Sequence, residues 1–283
     1  MIKPASEPPI GILGLGFLGQ GLAREFSAAP ESWATWHSNP PIEPTLPVFP
    51  FDWNKEKSWS ALPETAVTLV LTIPPQLDSP ETEAKRLHFW GKWMERNRPE
   101  LKRLIYISST GVYPKRNGLW REESEFEADT NSGKLRLITE KILLQYFSLH
   151  VVRPGGIYGA GRGIDVRLKS GKPIPASNVP VHRIHVEDLT RIIRHLVEHP
   201  DSAHCVNAVD LEAKPSWEVA QWLVENRNGF SPQMLSALDD SPSLGQACAE
   251  RFISNQCMLD LGITLNFPTF REGMGVVVRE LIR

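Results

Sequence analysis

The run Gly11-Ile-Leu-Gly14-Leu-Gly16-Phe-Leu-Gly19 follows an apolar stretch that starts at Pro9 and opens a segment of helical period over Gln20 to Ala28. A strand that turns this tightly into a helix on glycines presents unpaired helix N-terminal amides, and the positive end of a helix dipole, to whatever lies beyond the loop. Gly14 permits the tight turn, Gly16 lets a ligand approach the backbone, and Gly19 lets the helix pack on the strand. Phe17 and Leu18 complete the first helical positions, where backbone amides face a phosphate. The spacing therefore predicts a dinucleotide-binding loop, with a ligand-free glycine turn as the plainer alternative.

The chain beyond the loop has the pattern of a parallel sheet. Apolar runs at Ser32–His37, Val48–Trp53, Ala66–Ile73, Leu104–Ser108 and Leu149–Arg153 alternate with helical segments at Glu81–Asn97 and Lys134–Phe147. Pro74 and Pro75 end the fourth run, because proline offers no amide to a continuing ladder. The pattern predicts a Rossmann doubly wound α/β sheet with helices on both faces over residues 1–155. A smaller, interleaved C-terminal substrate lobe is expected over 156–283, with 183–209 returning to the first domain through a helix at His185–Glu198 and a strand at His204–Val209. Glycine and proline crowd the stretch 155–180 where that lobe would begin.

Composition narrows the partners. Lys plus Arg total 31 and Asp plus Glu 33 in 283 residues, so no field of one sign favours nucleic acid or an anionic membrane. Cys205, Cys248 and Cys257 form no metal-ligand spacing and no disulfide framework, so no metal is expected and the thiols read as reduced. Met1 to Pro9 lacks an apolar targeting core, and Ala66–Ile73 is too short to span a bilayer, so a cytoplasmic protein is expected.

The second strand ends Trp36-His37-Ser38-Asn39 without the acid that binds a ribose 2′-hydroxyl in NAD-specific folds. His37, Ser38 and Asn39 can instead donate to a 2′-phosphate, which favours NADP over NAD, although no arginine adjoins them. Asp52, at the end of the third strand, reads equally as an adenine contact or a loop cap.

Five stretches taken together resemble the extended short-chain dehydrogenase/reductase family of epimerases, dehydratases and reductases, and most of all its atypical YeeZ-like branch. They are Leu104-Ile-Tyr-Ile-Ser108-Ser109-Thr110-Gly111-Val112-Tyr113, Val152-Arg153-Pro154-Gly155-Gly156-Ile157-Tyr158-Gly159, Arg183-Ile-His185-Val-Glu187-Asp188-Leu189, Val206-Asn207-Ala208-Val209-Asp210 and Ser254-Asn255 with Leu261-Gly262. The resemblance implies that Ser109 hydrogen-bonds the substrate oxygen, that Thr72, Ile73 and Pro74 pass the adenosine ribose, and that Pro154, Gly155 and Ile157 lie near the carboxamide. Thr110, Tyr113 and Arg183 are expected to face substrate, Arg183 as a fork for a phosphate or carboxylate. His185, at a strand-to-helix junction, is expected to be structural.

One match fails. With Glu140 on the family's glutamate, the catalytic tyrosine position holds Ser132 and the lysine position Arg136. Serine is a far weaker acid than an activated phenol, and an arginine does not accept protons at neutral pH. Lys134, Tyr113, Tyr158, Glu122 and Glu123 lie near the expected cleft, each more simply read as an exposed or packing residue. Two functions stay open: an NAD(P)-dependent oxidoreductase or epimerase acting on a hydroxyl or carbonyl of a small molecule, such as a sugar nucleotide, or a dinucleotide-binding sensor or scaffold without turnover. The helices Glu81–Asn97 and Lys134–Phe147, with Trp90 and Trp93, offer either a homodimer face or packing on the sheet.

Overall fold

The computed structural model describes residues 8–76, 79–175, 177–239 and 250–274. Cys248 and most of the Met1–Pro9 segment lie outside the described residues. In chain order the elements begin with β1 (Ile10–Leu13), α1 (Phe17–Glu25), β2 (Trp33–Trp36), β3 (Val48–Pro50), α2 (Glu56–Ser60), β4 (Thr68–Leu71), α3 (Pro80–Asn97) and β5 (Arg103–Ile107). Then come β6 (Gly118–Trp120), α4 (Asn131–Leu143), β7 (Ser148–Pro154), β8 (Gly156–Tyr158), α5 (Ile164–Lys169), β9 (Ile174–Pro175) and β10 (Arg183–His185). The chain continues with α6 (Val186–Glu198), β11 (Cys205–Ala208), α7 (Ser216–Asn226), β12 (Leu238–Asp239), β13 (Arg251–Ile253) and α8 (Gln256–Asp260).

Seven strands form one sheet in the order β3-β2-β1-β4-β5-β7-β11, and the registers from β3 to β7 are parallel. The chain winds outward from β1 through β2 to β3, then returns to the other side of β1 for β4. The strand order therefore reverses between β1 and β4, and in a doubly wound sheet that reversal opens a crevice at the carboxyl ends of the strands. The glycine loop follows β1 and stands at that point. The sheet confirms the fold class expected from the apolar runs.

Two compact units divide the chain. The first holds 1–114, 126–153 and 190–206, and the second 115–125, 154–189 and 207–283. These bounds differ from those expected, and strand pairing explains why. Residues 115–125 join the second unit because β6 pairs in parallel with β13, Leu119 opposite Phe252. Arg183–His185 stays there too, because β10 pairs with β8. Both pairings involve three-residue strands, too short to leave a periodic signal.

In the first unit the core on one face of the sheet is strongly aromatic. Trp90 of α3 is fully buried, its ring 5.0 Å from Trp53 and 5.4 Å from Phe147, so it packs on the sheet instead of forming an outer face. Trp93 is half-buried and donates from Nε1 to Glu56 at 2.9 Å. Ser79 caps α3 ahead of Pro80 at its first position, and Thr130 caps α4 by accepting from the Gly133 amide at 3.0 Å. No helix among the described residues is long and apolar enough to cross a membrane, and none of their His, Cys, Asp and Glu side chains cluster as a metal site. Cys205 and Cys257 are half-buried.

The second unit has its own core, in which Leu168, Ile174, Val219, Leu223, Phe270 and Met274 meet. His182 and His185 are buried there, and burial holds each imidazole down at about 4. His182 accepts the Ile253 amide on Nε2 at 3.1 Å, which requires the neutral ring. His185 packs its ring against Phe267, centroids 3.9 Å apart and planes tilted by 47°, and accepts the Glu187 amide on Nδ1, a structural role.

Two measurements check this packing. Trp90→Ala, which removes a fully buried ring, is expected to cost about 3–5 kcal/mol in urea denaturation. A loss under 1 kcal/mol would mean that the aromatic core is not formed. The unfolded chain binds the histidine protons near pH 6.5 and the folded chain only near 4, so stability is complete above 6.5 and declines as the pH falls through that window. His182→Gln, which retains an acceptor without titrating, should flatten part of the decline between pH 6.5 and 5. An unchanged slope would remove His182 from this role.

Candidate functional site

The glycine loop is held in place by two threonines. Gly14 adopts φ 108°, and a β-carbon there would lie 2.7 Å from Ile73 Cγ1 and from Thr72 Oγ1. At Gly19 a β-carbon would meet the Gly14 carbonyl at 2.0 Å, so only glycine lets α1 pack so closely under the loop. Around Gly16, by contrast, no atom comes within 4 Å of the β-carbon position, so the space in front of the backbone is open to a ligand. Thr35 Oγ1 accepts the Gly14 amide at 2.9 Å, and Thr72 Oγ1 donates to the Gly14 carbonyl at 2.6 Å. The N-terminus of α1 has no side-chain cap.

Beyond the loop is a cavity of about 270 Å³ lined by Gly14, Gly16, Thr35, Trp36, His37, Asn39, Phe51, Trp53, Thr72, Ile73, Pro74 and Gln76. The structure thus brings together Gly14, Gly16, His37, Thr72, Ile73 and Pro74, as the sequence led us to expect. Thr35, Trp36, Phe51, Trp53 and Gln76 were missed. Thr35 gives no signal in sequence, because its role is to accept an amide 21 positions away.

Four expected cofactor residues stand differently. Leu18 is buried in the packing of α1 and Phe17 is half-buried, so neither side chain lines the cavity and each offers its backbone only. Ser38 is exposed outside the lining and bonds His37 Nδ1 at 2.9 Å. Asp52 lies outside the lining and caps its own loop. Its carboxylate accepts the Asn54 amide at 2.9 Å and pairs with Lys55 at 3.0 Å, and these two bonds hold its pKa below the usual carboxylate range. The same carboxylate lies 3.8 Å from His37 Nε2, so Lys55 and Asp52 adjoin the end of β2 although both follow β3.

The segment after β5 is built around a buried ion pair. Arg153 of β7 donates to both oxygens of Glu140 of α4, from Nη2 at 2.7 Å and from Nε at 3.3 Å, and from Nη1 to the Tyr113 hydroxyl at 2.9 Å. Glu140 also accepts from Ser108 Oγ at 2.5 Å. Tyr113 is 2% exposed, with its ring 4.8 Å from Phe126, which corrects the expectation that it faces substrate: its hydroxyl orients Arg153. Thr110 is likewise buried, against its expected substrate contact. Ser109 is half-buried and accepts the Gly111 amide on Oγ at 3.0 Å, which caps the short turn Thr110–Val112.

At the family's lysine position, Arg136 donates from Nη1 to the carbonyls of Ser108 at 2.8 Å and Ile107 at 3.3 Å. Ser132, at the tyrosine position, is exposed in the first turn of α4. Lys134 and Glu123 are exposed, and Glu122 accepts the Asn207 amide at 2.7 Å. In the second unit, Tyr158 is buried and burial pushes its phenol far above the usual range. Also there, Gly155 and the half-buried Ile157 follow Pro154, the last residue of β7. Arg183 is buried too, and its guanidinium donates to the carbonyls of Val181 and Lys214 and to Ser216 Oγ.

No protein-family model matches the chain. Protein YeeZ of Escherichia coli K12 is 29% identical over 175 residues, which cover 59% of this chain and 60% of that protein. Among solved structures, MoeE5 in complex with UDP-glucose and NAD superposes with a TM-score of 0.74 at 18% identity, covering 97% of this chain and 100% of that one. Human epimerase family protein SDR39U1 (isoform 2) with NADPH gives 0.68 at 17% identity, covering 95% and 99%. The chain is similar to YeeZ over that stretch, about three-fifths of either protein, and shares the fold of these solved structures. Within that fold the chain has a glycine loop after β1 and a serine, Ser109, after β5. The tyrosine and lysine positions carry an exposed serine and an arginine bound to backbone.

Arg153→Met would leave the Glu140 carboxylate buried without its partner, and a loss of about 3–5 kcal/mol in urea denaturation is expected. Replacing both residues, as Arg153→Met with Glu140→Leu, should recover most of that loss. If the double variant is as unstable as the single one, the ion pair is not what sets the cost.

Proposed function

We propose that the first unit binds a nicotinamide dinucleotide, with the pyrophosphate over the glycine loop and the adenosine half in the cavity beyond it. The observation that supports this most directly is the open, uncapped space at Gly16, at the point where the strand order reverses and beside a cavity walled by aromatic rings. Gly14 and Gly16 would meet the pyrophosphate, and Ile73 and Pro74 the adenosine ribose. His37, Ser38 and Lys55 would donate to a 2′-phosphate, and Lys55 compensates the Asp52 carboxylate, so NADP(H) is favoured over NAD(H).

The reaction we infer is an oxidoreductase or epimerase step on a hydroxyl or carbonyl carbon of a small molecule, in which the bound nicotinamide supplies or accepts the hydride. Ser109 would orient the substrate oxygen with its hydroxyl hydrogen, since the Gly111 amide occupies one lone pair of Oγ and leaves the donor available. Arg136 fixes the carbonyls at the end of β5 and so the position of Ser109; it takes no part in moving a proton. A second reading, binding without turnover, is favoured by the exposed Ser132 and the backbone-bound Arg136.

Quenching of the tryptophan emission, for which Trp36 and Trp53 in the cavity wall are reporters, should show tighter binding of NADPH than of NADH. Lys55→Glu should weaken NADPH about fivefold to tenfold and NADH little, as expected for an exposed charge contact. Equal loss for both cofactors would place Lys55 away from the 2′-phosphate. Oxidation of NADPH across a panel of carbonyls and sugar nucleotides then separates the two readings, and Ser109→Ala should lower any turnover about 100-fold.

A further inference from the structure

We propose that the second unit carries a binding site of its own for a small oxyanion group, a phosphate ester or a carboxylate, in the cavity beside β8. The cavity measures about 340 Å³, and every residue that lines it belongs to this unit. Its wall holds four cationic side chains, Arg162, Arg167, Lys172 and Arg183, and no carboxylate among the described residues. The chain as a whole is nearly neutral, so this segregation is local and calls for a local cause.

Arg183 is the centre of the argument. It is 4% exposed, and burial pushes its guanidinium down to about 10. A buried cation is costly unless it meets an opposite charge. Its side-chain partners are two carbonyls, Val181 and Lys214, each at 2.8 Å, and the Ser216 hydroxyl at 3.1 Å. These are neutral groups that fix the plane of the guanidinium without cancelling its charge. Two acids act on it, Asp210 and Glu212, and neither forms an ion pair with its guanidinium; Glu212 pairs with Arg271. Asp210 reaches only the Arg183 backbone amide, at 3.5 Å, and burial raises its carboxyl to about 7. Asp165 is fully buried against Gly163, and burial raises its pKa as well. Arg167 is braced by the Pro173 carbonyl on Nε at 3.1 Å, and Lys172 is exposed at the rim.

A rigid, desolvated guanidinium with further cations around it suits an oxyanion, which a planar fork engages through two parallel hydrogen bonds. The site goes beyond the dinucleotide reading and does not depend on it; if that reading holds, the substrate is an anion.

Calorimetric titration of the full chain with inorganic phosphate, glucose 1-phosphate and succinate tests the site. Saturable, salt-sensitive binding of at least one probe is expected, and the tighter class identifies the group as phosphate or carboxylate. Lys172→Glu, at an exposed position that should leave the melting temperature unchanged, is expected to weaken binding about fivefold. Arg183→Gln should abolish it. The proposal is overturned if no probe binds or if binding survives Lys172→Glu unchanged. NADPH binding followed by tryptophan emission in Lys172→Glu should equal that of the parent, so a failure of the dinucleotide reading shows separately.

Discussion

The ion pair between Glu140 and Arg153 is the contact on which the candidate site of the first unit rests. It joins α4 to β7 under cover of the sheet, and its spare hydrogen-bonding capacity reaches Ser108 on one side and the Tyr113 hydroxyl on the other. Between those two residues lies the turn that carries Ser109. Charges this deeply buried are a weak source of net stability, because desolvation offsets their attraction. What they supply is a single geometry: Glu140 and Arg153 satisfy one another only when helix, strand and turn are in register. Arg136 and Gly133 add to this, the first by binding the β5 carbonyls, the second by letting α4 approach the Gly111 carbonyl, 2.7 Å from where a β-carbon would stand.

The glycine loop obeys the same logic with neutral groups. Thr35 of β2 and Thr72, the residue after β4, flank β1 and hold the amide and the carbonyl of one residue, Gly14. The loop is thereby fixed before any ligand arrives, so little ordering entropy is left to oppose binding. In sequence Thr72 reads as a ribose contact. It lines the cavity as expected, but its hydroxyl serves the loop.

The parts of this protein legible in sequence are those whose cause is local. Glycine spacing reports a turn and a close approach, and a run such as Thr68–Leu71, buried on both faces, reports a central parallel strand. What escaped depends on partners far away in the chain. The pairing of Gly118–Trp120 with Arg251–Ile253 moves a whole segment from one unit to the other, yet three residues carry no period. Asp52 is ambiguous in sequence because nothing there shows that Lys55 and His37 converge on it. Tyr113 reads as a cleft residue until Arg153, forty positions on, is seen to claim its hydroxyl.

Ser132 and Arg136, at the positions where the resembled family has tyrosine and lysine, have structural surroundings of their own. A lysine that lowers a phenol pKa must keep its ammonium beside the reacting groups. Arg136 instead turns its guanidinium toward two backbone carbonyls, which a delocalised, weakly hydrated cation with several donors suits well. Arg136 thus stiffens the end of β5, while the exposed Ser132 keeps the weak acidity of an ordinary hydroxyl. The half-buried Ser109 is held at its hydroxyl by a single bond, from the Gly111 amide to Oγ at 3.0 Å, and keeps its own hydroxyl hydrogen to donate.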